Sequence, residues 1–276
     1  MRGGRLPEVP RIHVVSDVHG RADALATAGD GADALVVCGD LLNYLDYAHP
    51  SEGILAELLG PEAGAEFAAL RKEHRFGALR SAGARLMDDP AAFAEAVVAA
   101  ARRQYAELFD AMPVPAYCTY GNVDMPRLWP EYVDDKHRLY DAEVVEIGGW
   151  RFGFVGGWPR RPIPPELLKA SKMPIVQFGA DSSPEEYAAK VESLGPVDVL
   201  CSHVPPAVPE LRWDTVTRRP EVASEALLDY VREYQPRYAL FGHVHQPLQR
   251  RLRIGKTECV NVGHFRATGK PFVLEW

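Results

Sequence analysis

The chain has 276 residues, of which 47% are hydrophobic and 25% are charged, a composition typical of a globular protein with a sizeable core. Its net charge of -7 at pH 7 argues against a protein that coats nucleic acid through its overall charge. No stretch has the length and apolarity of a membrane span, and the N-terminus lacks the apolar region of a secretion signal. We therefore expect a cytoplasmic protein with no membrane partner.

The first predicted element is an apolar strand over residues 11–16, followed by Asp17, His19 and Gly20. If the backbone stays extended at the strand end, Asp17 and His19 point to the same side, with Cα atoms about 7 Å apart. A carboxylate and an imidazole so placed can share a metal ion or a pair of ions. Gly20 allows a sharp turn into a helix that begins near Arg21.

A second apolar strand is predicted over residues 34–38, and Gly39 and Asp40 follow it directly. Both strands are continuous apolar runs, which is typical of strands buried on both faces of an α/β sheet. Open α/β sheets bind ligands at the carboxyl ends of their strands, so Asp40 is a candidate ligand beside Asp17.

Between residues 43 and 112 the sequence is rich in alanine and leucine at helical spacing, which predicts a helical insert. Asp89 and Pro90 favour a helix start there, with a helix over residues 91–109 and apolar positions at Phe93, Val97 and Leu108. The segment 61–86 is also predicted to be helical. Its basic side chains are expected to face solvent, and the alternative is that they face an anionic substrate. They are Arg71, Lys72, His74, Arg75, Arg80 and Arg85.

The role of the insert has two interpretations. Because it leaves the sheet directly after Asp40, it could form a lid that shapes access to the site. The alternative is a helical pad packed on the outer face of the sheet, or a contact between two copies of the chain.

The strand pattern resumes over residues 114–120, which Gly121 and Asn122 follow, and a hairpin is predicted over residues 143–155. The proline-rich segment 158–180 is predicted to be a loop, and Arg160 and Arg161 near its start are candidate substrate-binding residues. Ser183 predicts the start of a helix that runs to residue 194.

Closing strands are predicted around residues 260 and 272–274. Two further strands are predicted over residues 197–202 and 237–241, and histidines follow both of them. His203 follows the first of these strands, and His243 and His245 follow the second. A helix is predicted over residues 221–234. The four cysteines lie in apolar strand-like runs and are expected to be buried free thiols; they are Cys38, Cys118, Cys201 and Cys259.

Polar side chains thus follow five predicted strands, and an unrelated structural reason for each of them is improbable. The candidates are Asp17, His19, Asp40, Asn122, His203, His243 and His245. Carboxylate, amide and imidazole groups without a thiolate favour Mn²⁺, Fe²⁺ or Zn²⁺. These are too many ligands for one ion, and we expect two divalent ions, with Mn²⁺ as the first choice.

The motifs Ser-Asp-Val-His-Gly, Gly-Asp-Leu, Gly-Asn-Val-Asp, Ser-His-Val-Pro-Pro and Gly-His-Val-His, in this order, resemble those of the calcineurin-like metallophosphoesterase superfamily. The resemblance implies an α/β fold in which two stacked mixed β-sheets are flanked by helices, in one domain over residues 1–276. It also implies that Asp17, His19 and His245 hold one ion and that Asp40 bridges to a second. The ligands of the second ion would be Asn122, His203 and His243.

The resemblance further implies a phosphoesterase that uses a metal-bridging hydroxide on a small-molecule or nucleotide substrate. The second motif lacks the pattern of the protein phosphatases, and Val123 stands where many relatives carry a histidine beside the leaving group. This departure favours phosphodiesters. A phosphomonoesterase, with His264 as a substitute donor and substrate contact, is the alternative, and a non-enzymatic scaffold of the same fold is a further one. The sequence leaves the oligomeric state open.

Overall fold

The computed structural model describes residues 10–73, 75, 77, 78, 81–83, 89–160 and 178–276. Arg161, His74, Arg80 and Arg85 lie outside the described residues, as does most of the predicted proline-rich loop. Among the helices described, none is long and apolar enough to cross a membrane.

The strands in the described part of the chain are short. They are β1 (Arg11–Val15), β2 (Ala34–Cys38), β3 (Ala116–Thr119), β4 (His137–Leu139), β5 (Glu143–Ile147), β6 (Trp150–Val155), β7 (Trp158–Pro159), β8 (Asp181–Ser182), β9 (Val199–Ser202), β10 (Trp213–Asp214), β11 (Arg219–Pro220), β12 (Tyr238–Phe241), β13 (Arg251–Ile254), β14 (Thr257–Asn261) and β15 (Phe272–Glu275).

The helices differ widely in length. They are α1 (Ala22–Leu25), α2 (Ile54–Leu59), α3 (Pro61–Lys72), α4 (Pro90–Ala111), α5 (Pro184–Ser193), α6 (Pro209–Arg212), α7 (Glu225–Tyr234), α8 (Phe265–Thr268) and the 3₁₀ helix η1 (Pro126–Glu131).

Two mixed sheets form the centre of the molecule. The first has the order β15-β1-β2-β3-β4, in which β1 to β4 are parallel and β15 is antiparallel. The second has the order β13-β14-β12-β9-β6-β5, in which β14, β12, β9 and β6 are parallel and the two edge strands are antiparallel. Parallel pairing brings the carboxyl ends of β1, β2 and β3 to one edge, and those of β9 and β12 to one edge of the other sheet.

Three apolar clusters show how the sheets stack. Val14 of β1 belongs to a cluster between the sheets that also contains Phe154 of β6 and Leu240 of β12. The next residue, Val15, belongs to a cluster on the outer face of the first sheet, because successive side chains of a strand point to opposite faces. A third cluster joins Phe241 and other outer-face residues of the second sheet to α5 and α7. The predicted fold of two stacked mixed sheets flanked by helices is confirmed.

Helix α4 belongs to the outer layer of the first sheet. Asp89 accepts hydrogen bonds from the backbone N–H groups of Ala91 and Ala92, so the predicted start is confirmed and the helix runs to Ala111. Val97 and Tyr105 are fully buried in the same cluster as Val15. The pad interpretation therefore describes α4, since its apolar side is occupied by the sheet.

Several predicted bounds differ from the observed ones by a few residues. The strand over residues 34–38 is confirmed, whereas the helix predicted from residue 221 begins at Glu225, because the Ser224 side chain accepts from the N–H of Leu227. Strand β13 was not predicted, since it is an edge strand in which exposed arginines alternate with partly buried residues. All four cysteines are buried and free, as predicted.

Candidate metal centre

The first group of predicted ligands lies just beyond β1. That strand ends at Val15, and Asp17 and His19 have φ angles of 56° and 42°, in the left-handed region. The extended geometry predicted for this pair is therefore wrong. The turn instead brings Asp17 Oδ1 within 3.8 Å of His19 Nε2.

His245 completes this group from the other sheet. Its Nε2 atom lies 3.2 Å from Asp17 Oδ1 and 3.4 Å from His19 Nε2. The neighbouring His243 has a φ of 66°, and its backbone N–H donates to Asp17 Oδ2 over 3.0 Å. We call Asp17, His19 and His245 the Asp17 cluster.

The second group consists of Asn122, His203 and His243, which we call the His203 cluster. His203 Nε2 lies 3.0 Å from Asn122 Oδ1, and the rings of His203 and His243 are 5.1 Å apart between centroids. His203 is fully buried. The Nε2 atom of His243 is buried and has no hydrogen-bond partner among the described residues.

Asp40 lies between the two clusters. Its Oδ2 atom is 3.9 Å from His19 Nε2 and 3.4 Å from His203 Nε2. Asp40 also has a positive φ of 56°, because it belongs to the tight turn after β2. The structure thus brings all the predicted ligands together, with one carboxylate in reach of both clusters.

Backbone carbonyls orient two of the imidazoles. Nδ1 of His203 donates to the carbonyl of Cys38 over 3.0 Å, and Nδ1 of His19 donates to the carbonyl of Leu42 over 2.9 Å. Because Nδ1–H of each ring is used in these contacts, Nε2 is the ring nitrogen that faces the centre. Such contacts commonly orient metal-binding histidines.

The additional candidates lie at different distances from the centre. The His264 ring stacks on the His245 ring, with centroids 3.8 Å apart, and its Nε2 atom is buried without a partner in the described part of the chain. Arg160 lies over the Trp158 ring at 5.2 Å, and that ring lies 5.8 Å from the His243 ring. Arg160 therefore contacts the Trp158 ring, which in turn lies near the His243 ring.

Sequence reasoning missed the role of Asp124. This buried carboxylate accepts hydrogen bonds from the backbone N–H groups of Asp40, Leu41 and Gly121 over 2.8 to 3.0 Å. It therefore holds the turn that presents Asp40. The motif Gly-Asn-Val-Asp ends in Asp124, but two of the three N–H groups that donate to this carboxylate lie more than eighty positions away in the sequence.

Helix α4 supports the same turn from the outer layer. The Tyr105 hydroxyl lies 3.2 Å from Asp124 Oδ1 and accepts from the N–H of Met125 over 2.7 Å. The adjacent Gln104 accepts from the N–H of Asn43 over 2.9 Å. The insert thus contributes to the centre by supporting its backbone.

The charges of the centre are strongly coupled. Burial lowers the pKa of His203, but the negative charge of Asp40 outweighs this effect and raises the pKa to about 10. Burial and the positive charge of His203 lower the pKa of His243 to about 3. Burial raises the pKa of Asp124 to about 6, and the charge of Asp40 acts in the same direction.

This arrangement fits a pair of divalent cations. Two acidic side chains, an amide oxygen and four imidazoles converge in one small volume. Within the described residues the buried Nε2 atom of His243 lacks the hydrogen bond that a buried nitrogen usually makes. Oxygen and imidazole donors without thiolates suit Mn²⁺, Fe²⁺ and Zn²⁺. The chemistry of the donors therefore agrees with the sequence-based expectation.

Comparison with known proteins assigns the chain to a family. The family model described as calcineurin-like phosphoesterase matches residues 10–247. No curated protein matches the chain significantly. One solved structure has a TM-score of 0.60 at 17% identity, with 97% of this chain and 95% of that chain covered. The structure of TT1561 from Thermus thermophilus has a TM-score of 0.52 at 13% identity, with 97% and 99% covered. At these identities the two structures show a shared fold.

Proposed function

The chain belongs to the calcineurin-like phosphoesterase family and is a metal-dependent phosphoesterase; we propose that it prefers phosphodiesters and acts on a small-molecule or nucleotide substrate in the cytoplasm. The observation that carries the preference is Val123, an apolar residue whose backbone contacts the shared carboxylate. Its backbone N–H donates to Asp40 Oδ1 over 2.9 Å, which fixes its position at the centre.

Asp17, His19 and His245 would hold one ion and Asn122, His203 and His243 the other, with Asp40 shared between them. Mn²⁺ is the proposed native ion. When bound, such a pair of ions lowers the pKa of a water molecule and neutralises the oxygens of a phosphoryl group. The histidine side chains would act as neutral ligands, with Nδ1–H of His203 and of His19 donating to a backbone carbonyl.

The absence of a proton donor at position 123 supports the proposed preference for diesters. A positioned general acid typically contributes about 10²–10⁴-fold to rate, and the valine side chain has no proton to give. A monoester dianion with an alkoxide leaving group depends most on such a donor. A diester carries one negative charge less and accepts attack more readily, so it loses less when the donor is missing.

His264 is the observation in favour of the alternative, a phosphomonoesterase. Its ring lies against His245, and its Nε2 atom is buried and unpartnered within the described residues. However, burial and the neighbouring His245 lower the pKa of His264 to about 3. A neutral imidazole at pH 7 is a weak acid, so His264 is better suited to contact a substrate oxygen than to protonate a leaving group.

The test compares kcat/KM for bis-p-nitrophenyl phosphate and p-nitrophenyl phosphate on the wild type, Val123→His and Val123→Ala, each saturated with Mn²⁺. We expect the wild type to prefer the diester by at least about tenfold. Val123→His should gain activity on an alkyl monoester, glycerol 3-phosphate, more than on p-nitrophenyl phosphate, because an alkoxide leaving group depends most on the donor that only this variant supplies. Val123→Ala is the matched control, since it removes the side chain without adding a donor. A wild type that prefers the monoester would refute the proposed specificity.

A further inference from the structure

Arg266 belongs to none of the motifs that carry the predicted metal ligands. It nevertheless contacts the loop after β1, which carries Asp17 and His19. Its side chain is only 11% exposed, although it lies on the short helix α8. Nη1 donates to the backbone carbonyl of His19 over 2.6 Å. Nη2 donates to Glu52 over 2.5 Å and also pairs with Asp46.

The backbone of the same helix contacts the same loop. The N–H of Arg266 donates to the carbonyl of Asp17 over 2.9 Å, and the N–H of Phe265 donates to the carbonyl of Ser16 over 3.0 Å. Asp17 and His19 have positive φ angles, a conformation that costs residues other than glycine roughly 1 kcal/mol or more and persists only where the surroundings determine it. The hydrogen bonds from α8 to the backbone carbonyls of Ser16, Asp17 and His19 stabilise this conformation.

The carboxylates that pair with Arg266 are themselves fixed in place. Asp46 is 4% exposed and accepts hydrogen bonds from the backbone N–H groups of Ala48 and His49, each over 2.8 Å. These residues belong to the first turn of the insert. Arg266 therefore joins the C-terminal helix, the insert and the loop after β1 at a single guanidinium.

We propose that Arg266 is a positioning residue for the ion that Asp17, His19 and His245 would hold. This inference rests on the ligand set of the proposed function. Two carboxylates neutralise the guanidinium, so it acts on the centre through the geometry of the His19 backbone. In the described part of the chain Arg266 makes no hydrogen bond to Asn122, His203 or His243, so we expect its main effect on the Asp17 cluster.

The experiment titrates metal-free protein with Mn²⁺ by calorimetry and records the electron paramagnetic resonance spectrum at each stoichiometry. In Arg266→Met we expect one of the two binding constants to fall by about 10–100-fold, the usual effect of removing an outer partner of a ligand, while the other stays within about twofold. The spectrum of a spin-coupled ion pair should then require more Mn²⁺ to develop.

Arg266→Lys keeps the positive charge beside Asp46 and Glu52, so it retains the fold even if the methionine variant loses it. Because one ammonium cannot reproduce the forked contacts, we expect it to weaken the same single site by at least about fivefold. Arg102→Met is the matched control, since Arg102 forms a forked pair with Glu131 and, within the described residues, makes no hydrogen bond to the loop after β1.

Two results would overturn the inference while leaving the proposed function intact. Wild-type affinity at both sites in Arg266→Lys would show that the contacts do not position the loop. An equal loss at both sites would show a general structural effect. A wild type that binds fewer than two ions would instead refute the dinuclear centre itself.

Discussion

The two clusters of the centre have similar donors but different support. The His203 cluster is built on the ends of β3, β9 and β12, and His203 is fully buried against the carbonyl of Cys38. In the Asp17 cluster 29% of the His245 side chain is exposed, and the loop that carries Asp17 and His19 is held by α8 and the insert. Strand ends of both sheets present the His203 cluster, whereas the Asp17 cluster also depends on α8 and the insert, which come from distant parts of the chain.

The difference indicates that the two ions would be bound unequally. A cluster whose ligands are fixed by a sheet loses little freedom when it binds, because its side chains are already ordered. The Asp17 cluster relies on contacts with the residues after β14. Asp40 is common to both clusters, so changes near Asp40 should affect them equally.

Asp40→Ala should have the largest effect, because it removes the carboxylate that reaches His19 and His203. We expect kcat/KM for bis-p-nitrophenyl phosphate to fall by more than the roughly 100-fold that the loss of an outer partner can cost. Metal analysis of dialysed protein should give fewer than two ions. Asp198→Asn is the control, since Asp198 lies at the opposite, amino end of β9. Substantial activity in Asp40→Ala would contradict a shared carboxylate.

His243→Ala should separate the clusters. It removes a donor from the His203 cluster alone, so we expect one ion to remain bound and activity to fall by about 100-fold. His245→Ala is the mirror variant and should retain the ion of the His203 cluster. Mass spectrometry of intact protein under native conditions counts the ions in each case. Loss of both ions in both variants would show that the clusters bind as one unit.

Asp124→Asn should weaken both clusters, because Asp124 holds the turn that presents Asp40. An amide cannot accept all the backbone N–H groups that contact Asp124, so we expect kcat/KM to fall by about tenfold and the free energy of unfolding by about 3 kcal/mol. Urea denaturation measures the second quantity. Tyr105→Phe removes a single contact with Asp124 and should cost about 1 kcal/mol. A selective effect on one ion would contradict the shared role of the Asp40 turn.

The last prediction is a pH dependence of the stability of the metal-free protein. The pKa of His203 is raised from its ordinary 6.5 to about 10 in the folded chain. Its contribution to stability is therefore fully present below pH 6.5 and is lost as the pH rises through 10. The difference in urea midpoint between wild type and His203→Gln should shrink over this range. Asp40→Asn removes the main raising charge and should flatten the dependence, and a constant difference would refute the sign.

Much of the centre could be predicted because its residues follow apolar strands. The continuous run of β2 and the positions of Asp40 and His203 after their strands are local properties of the chain, and parallel strands place their carboxyl ends together. The start of α4 was equally readable, because Asp89 and Pro90 carry the chemistry of a helix start.

Tertiary structure decided how those residues meet. The positive φ angles of Asp17 and His19 are stabilised by partners that lie more than 240 positions away, and no local pattern encodes such contacts. Asp124 and Arg266 act through backbone groups, whose positions depend on the order of strands in the sheet. Local sequence determined which residues end the strands, because strand formation follows from near neighbours, while the support of the centre required long-range pairing that only the folded chain provides.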